Sequence, residues 1–197
     1  KIYSQEESQL AYVWREYMPS DRYDCGNTDF CNDGDKLHSI KILEDFMSEK
    51  ILLIDGHSIL NRAFYGLPDL TNSEGKHTGA VYGFLNILLR TIEEEKPQYL
   101  TVAFDLKAPT FRHKMFEAYK GTRKPMPEEL REQVPLIKEM LTAMGVNVVT
   151  KEGYEADDIL GTLARKSEAA GMDATILSGD RDLLQLATDK VMIRLPK

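Results

Sequence analysis

The sequence is poor in the side chains that cross-link a chain or bind soft metals, with only 2 cysteines and 4 histidines in 197 residues. Cys25 and Cys31 lie close together, but the nearest histidine, His38, completes no zinc-binding set with them. A disulfide between the two cysteines would be unusual in a cytoplasmic protein. The sequence therefore offers no basis for a zinc module or a disulfide-stapled secreted domain.

Long apolar runs are missing as well. No stretch approaches the ~20 consecutive apolar residues that a membrane-spanning helix needs. The start of the chain, KIYSQEESQL, lacks the basic region followed by an apolar region that marks a secretory signal. We therefore expect a cytoplasmic protein that makes no contact with a membrane.

An overall excess of positive charge is also absent, because the formal net charge is -7. That average conceals a local excess of bases in residues 107–124, KAPTFRHKMFEAYKGTRK, here called the basic strip. Aromatic side chains are interleaved with its bases, as in many nucleic-acid-binding surfaces, although a solvated helix face can have the same composition. The bases are Lys107, Arg112, Lys114, Lys120, Arg123 and Lys124, and the single acid is Glu117.

The chain divides into two regions of different character. In residues 1–46 acids outnumber bases, and two short helices are predicted, over 6–17 and 37–46, around a turn-rich loop. Met47 then opens MSEKILLIDG, which resembles a natural protein start. We therefore treat 1–46 as an extension of unassigned role and 47–197 as the domain.

Residues 47–197 alternate between strand and helix patterns. The short apolar runs KILLI, QYLTVAF, VNVVT, DATILS and KVMIRL are typical of buried strands. Helices are predicted over 79–95, 128–144 and 156–170, the last two ending at Gly145 and Gly171. Pro135 should kink the second helix or delay its start. The pattern predicts an α/β domain with a mostly parallel central sheet and helices on both faces.

Acidic residues follow the predicted strands at four places along the chain. Because parallel strands share one carboxyl edge, all of these carboxylates should meet in one region. Taken singly, each is also typical of a turn or a helix N-cap. Glu155 and Asp158 should share one face of their helix, whereas Asp157 should point elsewhere and bind through water or orient a ligand. The predicted metal-site acids are Asp55, Asp105, Glu155, Asp157, Asp158, Asp180 and Asp182.

Carboxylates gathered in this way repel one another unless cations neutralise them. An all-oxygen set of ligands favours Mg²⁺ or Mn²⁺ over zinc. Two such ions, about 3.5–4 Å apart, can activate a water and stabilise the leaving oxygen of a phosphodiester. The basic strip follows Asp105 directly, so its cations could hold the phosphate backbone of a nucleic acid beside the acids.

The motifs of residues 47–197 are similar to those of a known family. LLIDGHSILNRAFY, GAVYGF, FDLKAPTFRHKMFEAYKGTRKPMPEEL, GYEADDILGTLA and GDRDLLQL follow in order. Together they resemble the 5′ nuclease domain of bacterial DNA polymerase I, within the flap endonuclease family. The resemblance implies a PIN-like 5′ nuclease fold and a metal-dependent 5′-3′ exonuclease or flap endonuclease that cuts DNA in replication and repair. It also implies two Mg²⁺ or Mn²⁺ ions, a DNA substrate with a 5′ flap or 5′ end, an RNA primer as a further substrate, and a nucleoid location.

The resemblance also implies roles for individual bases. The basic strip corresponds to a helical arch through which a single-stranded 5′ end passes. Lys120 and Arg123 would face the scissile phosphate as catalytic residues. Arg112, Tyr119 and Lys124 would support or stack on the DNA, and Arg62 would contact a phosphate or lie on the surface.

The family continues beyond this point into two further acids, a duplex-binding helix-hairpin-helix-like element and, in some members, a polymerase domain. Because Lys197 precedes the acids and this element, we expect an incomplete second ion site and a weak grip on duplex DNA. Two alternatives therefore stay open. One is a nucleic-acid-binding fragment without turnover, and the other is a PIN-like ribonuclease that lacks an arch.

Overall fold

The computed structural model describes residues 49–116, 118–121 and 125–196. The predicted helices and loop of residues 1–46 lie outside this range, as do Glu117, Arg123 and Lys124 of the basic strip. No helix in the described ranges is long and apolar enough to cross a bilayer.

Within the described residues, five strands form a sheet in the order β3-β2-β1-β4-β5, and every neighbouring pair is parallel. All five predicted apolar runs are therefore strands, as the sequence indicated. The central strand is apolar on both faces because both are covered, and its residues 51–55 are all buried. The strands are β1 (Lys50–Asp55), β2 (Tyr99–Ala103), β3 (Asn147–Val149), β4 (Asp173–Leu177) and β5 (Val191–Arg194).

The helices agree with the 3.6-residue apolar periodicity. The predicted helix 79–95 is confirmed without change, and the predicted helix 156–170 ends one residue early. Gly145 and Gly171, the predicted stops, both adopt the left-handed conformation just after a helix. The helices are α1 (Gly56–Gly66), α2 (Gly79–Glu95), α3 (Phe111–Met115), α4 (Glu128–Arg131), α5 (Gln133–Ala143), α6 (Ala156–Ala169) and a 3₁₀-helix (Arg181–Leu186).

Pro135 divides the predicted helix 128–144 in two, as expected. Glu132 is a turn residue that separates α4 from α5, although its own backbone angles, φ -64° and ψ -28°, are helical. Pro135 is the third residue of α5, where its missing N–H would have no partner within the helix. Its ring would clash with the carbonyl of Arg131 in a continuous helix, which explains why the break lies upstream of the proline.

The strand order reverses at one point along the carboxyl edge of the sheet. The chain moves from β1 to β2 and β3 on one side, and then crosses back to β4 on the other side of β1. Right-handed crossovers therefore place α1, α2, α4 and α5 on one face and α6 on the other. Ligands of such sheets bind beyond the carboxyl ends of the strands at this switch point, which here lies between β1 and β4.

The core on the first face fixes that geometry. Leu52 and Ile54 of β1 pack with Phe84 and Leu88 of α2 and with Ile137 of α5, all essentially without solvent exposure. Phe104 belongs to the same cluster and lies directly after β2. A Cβ atom on Gly56 would come within 2.5 Å of the Phe104 ring, so only glycine lets α1 begin this close to the sheet.

Away from the carboxyl edge, Glu95 at the end of α2 links three strands. Its carboxylate accepts hydrogen bonds from Lys50 Nζ at 2.6 Å, Arg194 Nη1 at 2.6 Å and Thr175 Oγ1 at 3.3 Å. The Glu95 side chain is only 11% exposed, so water cannot readily replace it as the partner of the two cations.

We therefore expect Glu95→Gln to destabilise the fold by about 1–3 kcal/mol, because two half-buried cations lose their shared counter-charge. Urea unfolding of the full chain measures this change. Glu93→Gln is the matched control, because Glu93 is exposed on the same helix. Equal stability of the two variants would show that the Glu95 network contributes nothing measurable.

Candidate active site

Five of the seven predicted acids line one pocket of about 430 Å³ at the carboxyl edge of the sheet. Four separate segments of the chain contribute these acids, as the parallel topology requires. The five are Asp55, Asp105, Glu155, Asp157 and Asp180. Asp158 and Asp182 are not among its lining residues.

Asp55 is the most enclosed aspartate of the five, with 6% exposure. It ends β1 and caps α1, accepting a hydrogen bond from the Ser58 backbone N–H at 3.0 Å. Its second oxygen accepts from the buried hydroxyl of Ser178 at 2.9 Å. Burial is the main cause that raises the pKa of Asp55, and these hydrogen bonds oppose the rise. The residue is thus both a helix cap and a pocket carboxylate.

Asp105 follows β2 and faces the start of α6, where its Oδ1 accepts a hydrogen bond from the Ala156 backbone N–H at 2.6 Å. His57 lies beside it, with Nδ1 accepting from the Asp105 backbone N–H at 3.2 Å. The edge of the His57 ring packs on Phe104, at 5.3 Å between centroids. Burial lowers the pKa of His57, so its neutral form is favoured at this site.

Glu155 caps α6 and is held by the basic strip. Lys120 Nζ donates to its Oε1 at 2.8 Å, and the Tyr119 hydroxyl donates to its Oε2 at 3.2 Å. Arg112 Nη1 lies 3.5 Å from Oε2. The structure therefore brings three predicted DNA-binding residues onto one predicted metal ligand.

Asp157 and Asp158 point in different directions, as the spacing predicted. Asp157 lines the pocket. Asp158 instead turns back to accept the Glu155 backbone N–H at 3.0 Å, completing a capping box. Its oxygens also accept two hydrogen bonds from Arg112, both at 2.7 Å. The capping box uses the carboxylate at the third helical position, which leaves its neighbour free to face the other acids.

The electrostatic consequences for these two aspartates are opposite. Burial, reinforced by the charges of Asp55, Asp180 and Asp105, raises the pKa of Asp157 to about 7. Burial alone would also raise the pKa of Asp158, but the hydrogen bonds from Arg112 and from the Glu155 backbone lower it below its ordinary value. Asp157 therefore bears the uncompensated repulsion of the pocket.

Asp180 caps the 3₁₀-helix, accepting the Asp182 backbone N–H at 2.9 Å. Its own backbone N–H donates to Ser178 Oγ at 3.0 Å, so one hydroxyl links the loops after β1 and β4. Asp182 is exposed in the first turn of that helix. Its role as a metal ligand stays a prediction.

The basic strip supplies only part of the predicted arch within the described residues. Its regular part is the five-residue helix α3. Lys120 lines the pocket and has a left-handed backbone, with φ of 55°, a conformation that costs energy in any residue but glycine. Arg123 and Lys124 lie outside the described residues, so their predicted roles are untested. Arg62 is exposed and lines a neighbouring cleft rather than the acidic pocket.

The sequence reasoning missed two residues of the site: His57, which lines the pocket, and Ser178, whose hydroxyl bonds to Asp55 and to the Asp180 backbone. His57 stands two positions after Asp55, and Ser178 two before Asp180, so proximity to a strand end was the available signal. A single Ser or His beside a strand end is no functional signal by itself, because both residue types are common in loops for local reasons. Their part in the site follows only from the geometry.

The donor set of the pocket fits a hard divalent cation, because carboxylate oxygens dominate its lining and repel one another there. Among the described residues, however, no three Asp, Glu, His or Cys side chains converge as a ready-made coordination site. Lys120 and Arg112 neutralise Glu155 and Asp158 instead. A metal ion would have to draw the acids together and compete with these two side chains.

We expect Asp157→Asn to raise the melting temperature by about 2–4 °C at pH 8 in EDTA, because it removes one repelling charge. The pKa of Asp157 is about 7 in the fold against an ordinary 3.8, so its ionisation costs stability progressively as pH rises through this interval. The gain should therefore shrink as pH falls towards 5.

Thermal unfolding at both pH values tests this prediction, with Asp189→Asn at an exposed position as the control. A variant less stable than the wild type at pH 8 would contradict it.

Comparison with known proteins agrees with this architecture. The model of the family described as 5′-3′ exonuclease, N-terminal resolvase-like domain, matches residues 50–196. The chain is 49% identical over 149 residues to DNA polymerase I of Bacillus subtilis, covering 76% of this chain and 17% of that protein. It is 45% identical over 148 residues to the thermostable DNA polymerase I of Thermus thermophilus, covering 75% of this chain and 18% of the relative. The chain thus spans less than one fifth of the length of these relatives.

Solved structures show the same fold at lower identity. The flap endonuclease of bacteriophage T5, in a pseudo-enzyme-product complex with DNA and metal ions, aligns with a TM-score of 0.58 and 22% identity. That alignment covers 75% of this chain and 55% of the T5 chain. The T5 5′-exonuclease with bound zinc ions aligns with a TM-score of 0.56 and 18% identity, over 75% and 55% of the two chains.

Proposed function

The chain belongs to the 5′-3′ exonuclease family through its N-terminal, resolvase-like domain, and we propose that it hydrolyses phosphodiester bonds of DNA that carries a 5′ flap or a free 5′ end. The observation that carries the proposal is the pocket in which five carboxylates and Lys120 meet at the switch point of the sheet. Acids alone would suit many cation-binding proteins. The adjoining basic strip and the family together favour a phosphodiester as the ligand.

The carboxylates reach the pocket from different elements of the fold. Asp55 ends β1, Asp180 follows β4, Asp105 follows β2, and Glu155 and Asp157 lie at the start of α6, so cations held between them would stand over the switch point. A divalent cation bound there lowers the pKa of water and offsets the charge that builds up on a phosphate. Mg²⁺ or Mn²⁺, in two sites, is the proposed cofactor. Support comes from the oxygen donors of the pocket and from the metal ions in the T5 structures.

Among the described residues, Lys120 is the cation that lines the acidic pocket and could act on the phosphate itself. Its ammonium group lies in the pocket and is paired with Glu155 at 2.8 Å. With the charge of Glu155 neutralised, that ammonium would be available to donate to a phosphate oxygen. A donor directed at the oxygen where charge develops stabilises the transition state more than the ground state.

Several finer points belong to the same proposal. The long relatives support a polymerase domain in cis and a role in DNA replication and repair. The cytoplasmic nucleoid is the proposed place of action. An RNA primer is a further proposed substrate. The metal-site roles of Asp158 and Asp182 and the DNA contacts of Arg112, Tyr119, Arg123 and Lys124 are also part of it.

One observation favours a second candidate, a DNA-binding fragment without turnover. Arg112 and Lys120 hold two of the acids, and the described side chains do not converge on a metal. In that case the chain would bind DNA through the basic strip but would leave the phosphodiester intact.

Cleavage of a labelled 5′-flap DNA by the full chain in Mg²⁺ or Mn²⁺ separates these candidates. Controls are EDTA, Asp157→Asn and the same flap made of RNA. Metal-dependent cutting of DNA that Asp157→Asn abolishes is the expected result. Binding without cutting would favour the second candidate, and cutting confined to the RNA flap would indicate a ribonuclease.

We further expect Lys120→Met to lower kcat about 100-fold with a much smaller change in KM, because the ammonium acts mainly in the transition state. Single-turnover and steady-state cleavage of the flap DNA measure the two effects. Lys114→Met is the matched control, since Lys114 is an exposed cation of the same strip that does not line the pocket. An equal loss in both variants would mean that Lys120 contributes only general charge.

A further inference from the structure

Asp105 lies just beyond the part of the sheet whose pairing fixes the backbone. The last residue of β2 is Ala103, which is in register with Asp55 of β1. Asp105 comes two residues later and belongs to no helix or strand. Its side chain is 40% exposed, so burial does not fix its position either. Contacts from other segments must therefore set where this carboxylate lies at the pocket.

The imidazole ring of His57 supplies one such contact to the Asp105 backbone. Its Nδ1 accepts the Asp105 backbone N–H at 3.2 Å. A ring nitrogen that accepts a hydrogen bond carries no proton, so the ring is neutral and its proton is on Nε2. While it is engaged in this way, Nδ1 is not available to bind a metal ion. The contact joins the start of α1 to the loop after β2.

His57 is itself firmly held. It is the second residue of α1, the helix that Asp55 caps, and its side chain is only 19% exposed. The His57 ring meets the Phe104 ring edge-on, at 5.3 Å between centroids and 84°. Phe104 is fully buried, Lys138 Nζ lies 4.8 Å from the centroid of its ring, and its backbone N–H donates to the Val149 carbonyl at 3.0 Å. A ring packed on such a support can hold the backbone to which it bonds.

Two neutral side chains thus link acids on either side of β1. On the β4 side, the Ser178 hydroxyl joins Asp55 to the Asp180 backbone. On the β2 side, His57 joins the helix start that Asp55 caps to the Asp105 backbone. Neither link adds charge to the pocket, so both orient carboxylates without neutralising them.

From these contacts we propose that His57 is a positioning residue, which holds the Asp105 backbone through Nδ1 and thereby sets where the Asp105 carboxylate lies for a cation in the pocket. It acts through Asp105 and does not touch the DNA. Replacing a residue that orients a metal ligand typically changes metal affinity or activity by about 10- to 100-fold. The inference rests on the proposed function and names a residue on which one proposed metal ligand depends.

Three replacements of His57 separate its hydrogen bond from the packing of its ring. His57→Asn keeps an acceptor, Oδ1, at nearly the place of Nδ1. His57→Phe keeps a ring against Phe104 but has no acceptor, and His57→Ala lacks both. His77→Ala is the matched control, because His77 pairs with Asp69 at 2.8 Å and does not line the acidic pocket.

The first measurement is hydrogen exchange of the Asp105 backbone N–H, followed by NMR on the full chain in EDTA. Exchange should be at least about tenfold faster in His57→Ala and His57→Phe than in the wild type, and close to wild type in His57→Asn and His77→Ala. A long-range ¹H–¹⁵N spectrum of the wild-type ring should show Nδ1 without a proton. Slow exchange in His57→Phe, or a proton on Nδ1, would overturn the proposal.

The second measurement is the Mn²⁺ affinity of each variant by calorimetry, with its melting temperature. We expect His57→Ala and His57→Phe to bind Mn²⁺ about 10- to 100-fold more weakly than the wild type, and His57→Asn to remain within about threefold of it. His57→Phe should melt close to the wild type because it keeps the packing, so its lost affinity would not reflect lost folding. Wild-type Mn²⁺ affinity in His57→Phe would overturn the positioning role.

Failure of this inference and failure of the proposed function are distinguishable. Exchange at Asp105 needs neither metal nor DNA, so protection that depends on the acceptor at position 57, in a chain that cuts no flap DNA, would support the positioning and count against the nuclease activity. Flap cleavage by His57→Phe with the kcat and KM of the wild type would support the activity and overturn the positioning.

Discussion

Repulsion between carboxylates at the switch point of the sheet is the constraint on which the rest of the site depends. The parallel topology delivers acids from four segments to one edge, where burial weakens the screening by water. Neutral donors relieve part of the strain, through Ser58 and Ser178 at Asp55 and through the Ala156 N–H at Asp105. The remaining repulsion acts on Asp157 and contributes to its raised pKa of about 7.

The basic strip neutralises some of the carboxylates from outside the sheet. Arg112 and Lys120 pair with Asp158 and Glu155, so the cations expected to hold DNA also neutralise acids. Such sites trade stability for function, because groups arranged to bind charge repel one another until the ligand arrives. The left-handed backbone of Lys120 is a second cost at the same point. Arg112 and Lys120 would therefore couple the proposed metal and DNA ligands through shared partners.

Much of this could be predicted from sequence, and the exceptions have local physical causes. Apolar runs of strand length and helical periodicity gave the sheet and helices, because burial on both faces leaves a clear pattern. Five of the seven predicted acids line one pocket, because strand ends share an edge. Spacing predicted that Glu155 and Asp158 share a face, as their capping box shows, but it could not predict that Asp157 lines the pocket and Asp158 does not. His57 and Ser178 were missed because their roles arise from contacts between segments distant in sequence.

The central claim is that the pocket carboxylates bind a divalent cation, and calorimetric titration of the full chain with Mn²⁺ and Mg²⁺ tests it most directly. Wild-type protein should bind with an affinity that Asp157→Asn lowers at least about tenfold, while Asp189→Asn binds as the wild type does. Release of Lys120 from Glu155 should accompany binding, so Lys120→Met should bind the metal more tightly. Metal binding that is absent from the wild type, or unchanged in Asp157→Asn, would contradict the account.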